Sequence, residues 1–218
     1  KIASQDDSTH HLTTSNPFLR YQWHSNYTDT FGFPTSTGHM RVYSHNVSDA
    51  FRNLWEVPNL YLKKFEGETF CDTLHLTITA KTEGQQAGLV VMGRDYCRLA
   101  VELKGGEFVL NYITCRNADN NGEEFSTPIT TVKPRHYKAG AKDNYECSIS
   151  ICIQCAKGGL CTFSYSLDGK KYAALQDKAD GKRYTFQARE GKWIGAKYGV
   201  FSIAPAKSDR GWVEFPVR

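Results

Sequence analysis

The stretch AGLVVMGRDYCRLAVELKGGEFVLNYI, Ala87 to Ile113, decides the fold. Ala87–Met92 and Tyr96–Leu103 are apolar, branched runs separated by Gly93, Arg94 and Asp95, residue types that interrupt strands and form turns. Within the second run Cys97, Leu99, Val101 and Leu103 share one face while Arg98 and Glu102 lie on the other. That is the period of two of a half-buried strand. Lys104-Gly105-Gly106-Glu107 then supplies a tight hairpin, because paired glycines accept the positive φ that primed turns require. Phe108–Ile113 follows as a third strand, and the three form an antiparallel meander.

The same pattern extends outward from this stretch. Cys161–Leu167 and Lys171–Leu175 flank Asp168-Gly169, a second hairpin signal. Met40–Tyr43, Phe70–Ala80, Tyr145–Ile153, Ile194–Ile203 and Trp212–Val217 read as further strands, giving about ten to thirteen in all. Only Asp49–Trp55 has the spacing of a helical turn, with Phe51, Leu54 and Trp55 on one side. Many short strands without a long 3.6-residue period predict an all-β chain, folded as a two-sheet antiparallel β-sandwich. At 218 residues a single sandwich is the simplest division, and folding at this size removes roughly 70% of the extended chain's surface from water. The opening KIASQDDSTHHLTTS, residues 1–15, is polar and hydroxyl-rich and reads as a linker or N-terminal extension, leaving 16–218 for the sandwich.

Aromatic residues make up 13% of the chain, and 27 Lys and Arg face 23 Asp and Glu. The cations are scattered singly, which argues against a nucleic-acid surface. No run approaches the roughly 20 apolar residues of a membrane-spanning helix, and any export signal is expected upstream of Lys1. Seven cysteines is an odd number, so at least one thiol stays out of any intramolecular disulfide.

Candidates for chemistry are sparse. Cleavage of a glycosidic bond on a sandwich needs two carboxylates facing each other across it. The nearest sequence match, Glu66 and Glu68, straddles Gly67 in a turn and reads as solvated loop charge, as does Glu123-Glu124. Cys152 and Cys155 form one CxxC with Cys147 and Cys161 nearby. That spacing is poor for a zinc site and leaves a disulfide as the better-favoured alternative, while Ile149, Ile151 and Ile153 mark the same run as a strand. No G-x-S-x-G elbow and no H-x-x-x-H spacing occur. No catalytic residue, metal ligand or cofactor is therefore expected, although a structural calcium ion is compatible with the pattern. Sugars offer apolar faces rimmed by hydroxyls, so aromatic side chains beside short polar ones are the candidate glycan contacts. They are Trp23 and Tyr27 in YQWHSNY, Trp55, and the turn Arg94, Asp95 and Tyr96. For each tryptophan, burial as a core anchor is the competing role.

Four segments carry a resemblance. AGLVVMGRDYCRLAVEL (Ala87–Leu103), CTFSYSLDGKKY (Cys161–Tyr172), FQAREGKWIGAKYGVFS (Phe186–Ser202), and YQWHSNYTD with GHMRVY (Tyr21–Asp29, Gly38–Tyr43) are similar, in order and spacing, to one known module. It is the C-terminal concanavalin A-like β-sandwich of glycoside hydrolase family 43 β-xylosidases and arabinofuranosidases. Similarity runs from about Phe18 to Arg218; the Asp-x-Phe opening usual in that family is missing, and the Trp55–Pro58 region looks like an insertion. The resemblance implies a jelly roll without catalytic acids of its own, packed against an upstream catalytic propeller and shaping its sugar pocket. It implies plant cell-wall xylo- or arabino-oligosaccharides as ligands and a secreted, periplasmic or cell-surface location in a bacterium. A free-standing, lectin-like glycan-binding protein is the alternative. In the R-E-G-x-W-I-G-A-K segment Gly191, Gly195 and Gly199 are expected to allow close turns, and Trp193 to anchor the core.

Overall fold

A computed structural model of the protein describes residues 16–140, 142–189 and 195–217. In chain order the strands are β1 (Tyr21–Trp23), β2 (Gly32–Pro34), β3 (His39–Tyr43), β4 (His45–Asn46), β5 (Tyr61–Lys64), β6 (Phe70–Ala80), β7 (Gln86–Met92), β8 (Tyr96–Lys104) and β9 (Glu107–Cys115). They continue with β10 (Glu124–Val132), β11 (Arg135–Ala139), β12 (Lys142–Ala156), β13 (Leu160–Ser166), β14 (Ala173–Ala174), β15 (Thr185–Gln187), β16 (Lys197–Ala204) and β17 (Trp212–Pro216). One sheet runs β1-β5-β16-β7-β8-β9-β10 with β4 beside β16, and the other runs β14-β13-β12-β6-β17-β3-β2 with β11 on β12 and β15 on β13. All pairings are antiparallel except β4 with β16, so the expected two-sheet antiparallel sandwich is what forms.

Alternation builds the core between the sheets. Leu74, Leu76 and Ile78 of β6 and Ile149, Ile151 and Ile153 of β12 face Leu89 and Val91 of β7, Leu99 and Val101 of β8, and Phe108 and Leu110 of β9. Each fully buried side chain of this size contributes about 1.5–3 kcal/mol. Where strands approach most closely only glycine fits: a Cβ on Gly199 would sit 2.1 Å from the Tyr61 carbonyl oxygen, and one on Gly88 would sit 1.9 Å from that of Leu99. The β8–β9 turn is primed as expected, with φ of 63° at Gly105 and 76° at Gly106.

The eight-stranded sheet departs from expectation on its outer face. Arg98, expected on the solvent side of β8, is 2% exposed. The outward residues Leu62, Val90, Met92, Ala100, Ile113, Phe201 and Ile203 form a second apolar cluster with Leu54, Val57 and Leu60 from the segment between β4 and β5. That segment lies over the sheet as a partial third layer, so β8 is buried on both faces rather than half buried. Asp49–Trp55 keeps only a short 3₁₀ turn, Leu54–Glu56, capped by Asn53.

The seventeen strands among the described residues exceed the expected ten to thirteen because edge strands carry weak signals. β10 contains Pro128 and shifts register between Pro128 and Thr130, which an edge position tolerates because a missing N–H there leaves no ladder bond broken. β12 runs further than Tyr145–Ile153, and the Lys171–Leu175 strand shrinks to Ala173–Ala174. The expected strand from Ile194 starts at Lys197 among the described residues. Residues 1–15, Gly191, Trp193 and Ile194 lie outside the described residues.

Candidate functional site

The segments singled out in the sequence meet at one end of the eight-stranded sheet, where the β7–β8 turn, the β9–β10 connection, the chain before β16 and the covering segment come together. The covering segment is pinned first by its own polar groups. The Asn53 side-chain amide donates to the carbonyls of Ala118 (3.1 Å) and Gly122 (2.9 Å), while its oxygen accepts from the Trp55 backbone N–H at 3.0 Å. The Leu54 N–H donates to the Tyr96 hydroxyl at 2.9 Å. The Trp55 indole N–H then reaches the Gly93 carbonyl at 3.1 Å, and its ring stands edge-on to His24 at a centroid distance of 5.4 Å. Trp55 is left half-buried with its indole fixed at both ends, as a sugar-stacking side chain requires.

Beneath it lies a charged network. Arg98 donates to Glu124 at 2.6 Å and to the Gln86 side-chain oxygen at 2.7 Å, with its guanidinium 5.0 Å from the Phe201 ring centroid. The Tyr96 hydroxyl donates to the other oxygen of Glu124, and burial followed by the Glu124 charge pushes the phenol's pKa far up. Glu124 is thus a structural carboxylate rather than the solvated loop charge expected. Tyr96, expected to project towards ligand, is fully buried because the covering segment closes over the start of β8.

Asp95 turns inward as well, with a side chain 0% exposed. Its Oδ2 accepts from Arg116 Nη1 at 2.8 Å and from Arg189 through Nε at 2.9 Å and Nη2, and its Oδ1 accepts from the Asn117 N–H at 2.8 Å. Burial pushes the carboxyl up, but the hydrogen bonds from Arg116, the Asn117 amide and Arg189 outweigh it, so Asp95 titrates below its ordinary value. One carboxylate therefore ties three chain segments together. The turn leaves no alternative route: a Cβ on Gly93 would lie 1.9 Å from the Arg189 carbonyl oxygen. Of the three turn residues only Arg94 projects outward, its side chain 46% exposed and 3.3 Å from Asp119.

Trp23 and Tyr27 belong to a different patch. Trp23 faces the inter-sheet core and packs on Tyr61 (4.6 Å), Phe31 (5.4 Å) and Tyr27 (5.8 Å), while Tyr27 is 52% exposed. Glu66 and Glu68 sit in the exposed β5–β6 connection, with Glu66 bound to Lys63 at 2.7 Å. Cys152 and Cys155, three residues apart on β12, point to opposite faces, and all seven cysteines carry free thiols, contrary to the disulfide favoured above. Among the described residues no group of three or more His, Cys, Asp or Glu side chains gathers as a metal ion would need. No helix among them is long and apolar enough to cross a membrane.

Of the nominated residues Trp55 and Arg94 keep accessible surface at this end, while Arg98, Glu124, Arg116 and Arg189 were not foreseen as partners, since they come from strands and loops far apart in the chain. Nor was Lys197 foreseen, which begins β16 at this end in register with Lys64 of β5.

Comparison with known proteins fits this architecture. A structure of the glycoside hydrolase family 43 protein BlXynB from Bacillus licheniformis superposes with a TM-score of 0.63 at 15% identity, covering 91% of this chain and 36% of that one. A family 43 glycoside hydrolase engineered to display both endo-xylanase and exo-arabinofuranosidase activity gives 0.63 at 19% identity, over 90% of this chain and 37% of that one. A xylan β-1,4-xylosidase from Bacillus halodurans gives 0.54 at 12% identity, over 82% and 32%. The chain therefore spans about a third of the length of these proteins. No curated protein sequence matches it. The model of the β-xylosidase C-terminal concanavalin A-like domain matches residues 13–217, and the chain belongs to that family, the sandwich domains found in glycoside hydrolase family 43 enzymes.

Proposed function

We propose that this sandwich is the non-catalytic, accessory part of a glycosidase acting on xylose- or arabinose-containing plant cell-wall glycans, packing against a catalytic domain and contributing a glycan-contacting patch. The observation that carries the reading is the family match over residues 13–217 on a chain that spans about a third of family 43 enzymes. Fold alone would not specify function, and the patch supplies the chemistry. Trp55 offers an indole held by its own N–H bond and Arg94 offers outward donors at the adjacent turn, while the exposed Tyr27 ring resting on Trp23 forms a second, separate aromatic contact surface. Asp95 and Tyr96 act in this reading by holding those groups in place. The glycans concerned lie outside the cell, so the reading carries a secreted, periplasmic or cell-surface location.

Affinity electrophoresis through gels containing xylan or arabinan tests binding. Retarded migration that Trp55→Ala abolishes is the expected result, and unaltered mobility on every glycan removes the binding assignment. Turnover of aryl xylosides or arabinosides by the purified chain would overturn the non-catalytic assignment.

A further inference from the structure

Lys197 and Lys64 stand opposite each other across β16 and β5. Like charges directly opposed on a sheet repel, whereas opposite charges at such positions stabilise the pairing. Here the clash is sharpened by burial, because Lys197 is 8% exposed. A nearly buried ammonium without a counter-charge is costly, since water no longer solvates it and no partner replaces the water.

The arginines of the same end show the ordinary solution. Arg94 faces Asp119, Arg98 faces Glu124, and Arg116 and Arg189 share Asp95. Lys63, whose side chain points to the other side of β5, is held by Glu66 and Asp72 at 2.7 and 2.8 Å. No carboxylate among the described residues pairs with Lys64 or Lys197. The groups around the pair do not neutralise it: β7 places Met92 opposite Lys197, His24 lies near enough to feel the Lys197 charge and carries Trp55 edge-on against it, and Glu66, which lines the Lys64 hollow together with Arg20, is engaged by Lys63. Burial and then the Lys64 charge lower the Lys197 pKa, and burial and then Lys197 lower that of His24, so the cationic forms here are held at a cost that an anion would relieve.

We infer that the Lys64–Lys197 pair is a carboxylate-binding subsite, and that its ligand is an acidic sugar, a uronic acid unit on the glycan chain. The missing charge is a single negative one reachable from outside. The wall beside it is an indole with an imidazole, the surface that stacks on a pyranose face. Gln22, on the edge strand next to β5 and lining the same hollow as Lys64, supplies an amide for ring hydroxyls. The inference rests on the glycan-binding reading above and deepens it by naming the sugar class.

The test is calorimetric titration of the 218-residue chain with a uronic-acid-bearing xylo-oligosaccharide and with the same oligosaccharide after reduction of its carboxyl to an alcohol. A charge-assisted contact predicts about tenfold tighter binding of the acid form at low salt, narrowing as ionic strength rises. Lys197→Met should erase that preference. Lys64→Gln, at an exposed position that leaves the core untouched, should weaken it severalfold, whereas Lys104→Gln at the remote β8–β9 turn should leave it intact. Equal binding of the two oligosaccharides overturns the acidic-sugar assignment and leaves glycan binding standing. Binding of neither, together with unretarded migration on neutral glycans, overturns both.

Discussion

Replacing Asp95 by Asn tests the carboxylate that ties the loop end together. The side chain is fully buried, yet its guanidinium partners remain 58% (Arg116) and 55% (Arg189) exposed. Asparagine keeps the shape, and its carbonyl oxygen can still accept the Asn117 N–H. What disappears is the charge seen by two arginines. A hydrogen bond to a charged group contributes about 1.5–3 kcal/mol, and the lower end applies because each freed guanidinium returns largely to water. Two such contacts give a loss of about 2–3 kcal/mol, and at about 2–4 °C per kcal/mol for a domain of this size the melting temperature should fall by about 5–10 °C.

The pH dependence separates charge from packing. The folded-state pKa of Asp95 lies below its ordinary value of 3.8, so its contribution is complete above the unfolded-state value and is lost as pH falls through the folded one. Thermal unfolding followed by circular dichroism should show a constant gap between wild type and Asp95→Asn from pH 7 to about pH 5, narrowing from about pH 4 downward. An unchanged melting temperature at pH 7, or a gap undiminished at pH 3, would refute the assignment of the clamp.

Three further substitutions probe other parts of the design. Tyr96→Phe removes the hydroxyl that joins Glu124 to the Leu54 N–H; it should cost about 1–2 kcal/mol in urea unfolding and speed hydrogen exchange of the amides at 53–57, and unchanged exchange there would show that the covering segment is held by apolar contact alone. Gly199→Ala drives a methyl into the Tyr61 carbonyl, where neither backbone can yield; a loss of more than about 3 kcal/mol or failure to fold is expected, and near-wild-type stability would contradict the close approach of β16 and β5. Leu76→Ala, 1% exposed at the centre of the inter-sheet core, should cost about 2–5 kcal/mol, read from the urea midpoint.

The legibility of this fold follows how completely each strand's environment is local. Phe70–Ala80 is legible to the residue because Leu74, Leu76, Ile78 and Ala80 keep one face apolar at every second position. The Lys104–Glu107 hairpin was equally clear, since its glycines are demanded by backbone geometry alone. β11 (Arg135–Ala139) escaped because it lies at an exposed edge, where no apolar face is needed. β10 escaped because Pro128 reads as a strand breaker until its edge position is known. At the site, the aromatic and turn residues could be nominated from their types, but their orientations could not. Arg98 looked solvent-facing by alternation, and only a segment some forty residues earlier in the chain covers it. Its carboxylate, Glu124, is 26 residues away, and Asp95 meets Arg189 across 94. Such separations have no periodic signature, so the pairs became visible only once the sheet order was fixed.

Those long separations also explain why the candidate site sits where it does. The middle of the sandwich is held by interdigitating side chains that tolerate little change of volume, which leaves small latitude for a binding surface. The loop end is held by point contacts of a different kind: one carboxylate for two arginines, one tyrosine for the covering segment, one asparagine for two carbonyls. These fix the backbone at discrete places and leave the chain between them free to vary, the condition under which loops on a rigid scaffold acquire function. In this setting a charge that has its partner is explained by architecture, as Arg94, Arg98, Arg116 and Arg189 are. Among the described residues the Lys64–Lys197 pair has no such explanation, because it weakens the β5–β16 ladder that it belongs to, and a local cost without a local return is what a functional position is expected to show, which is why the proposed anion is placed there.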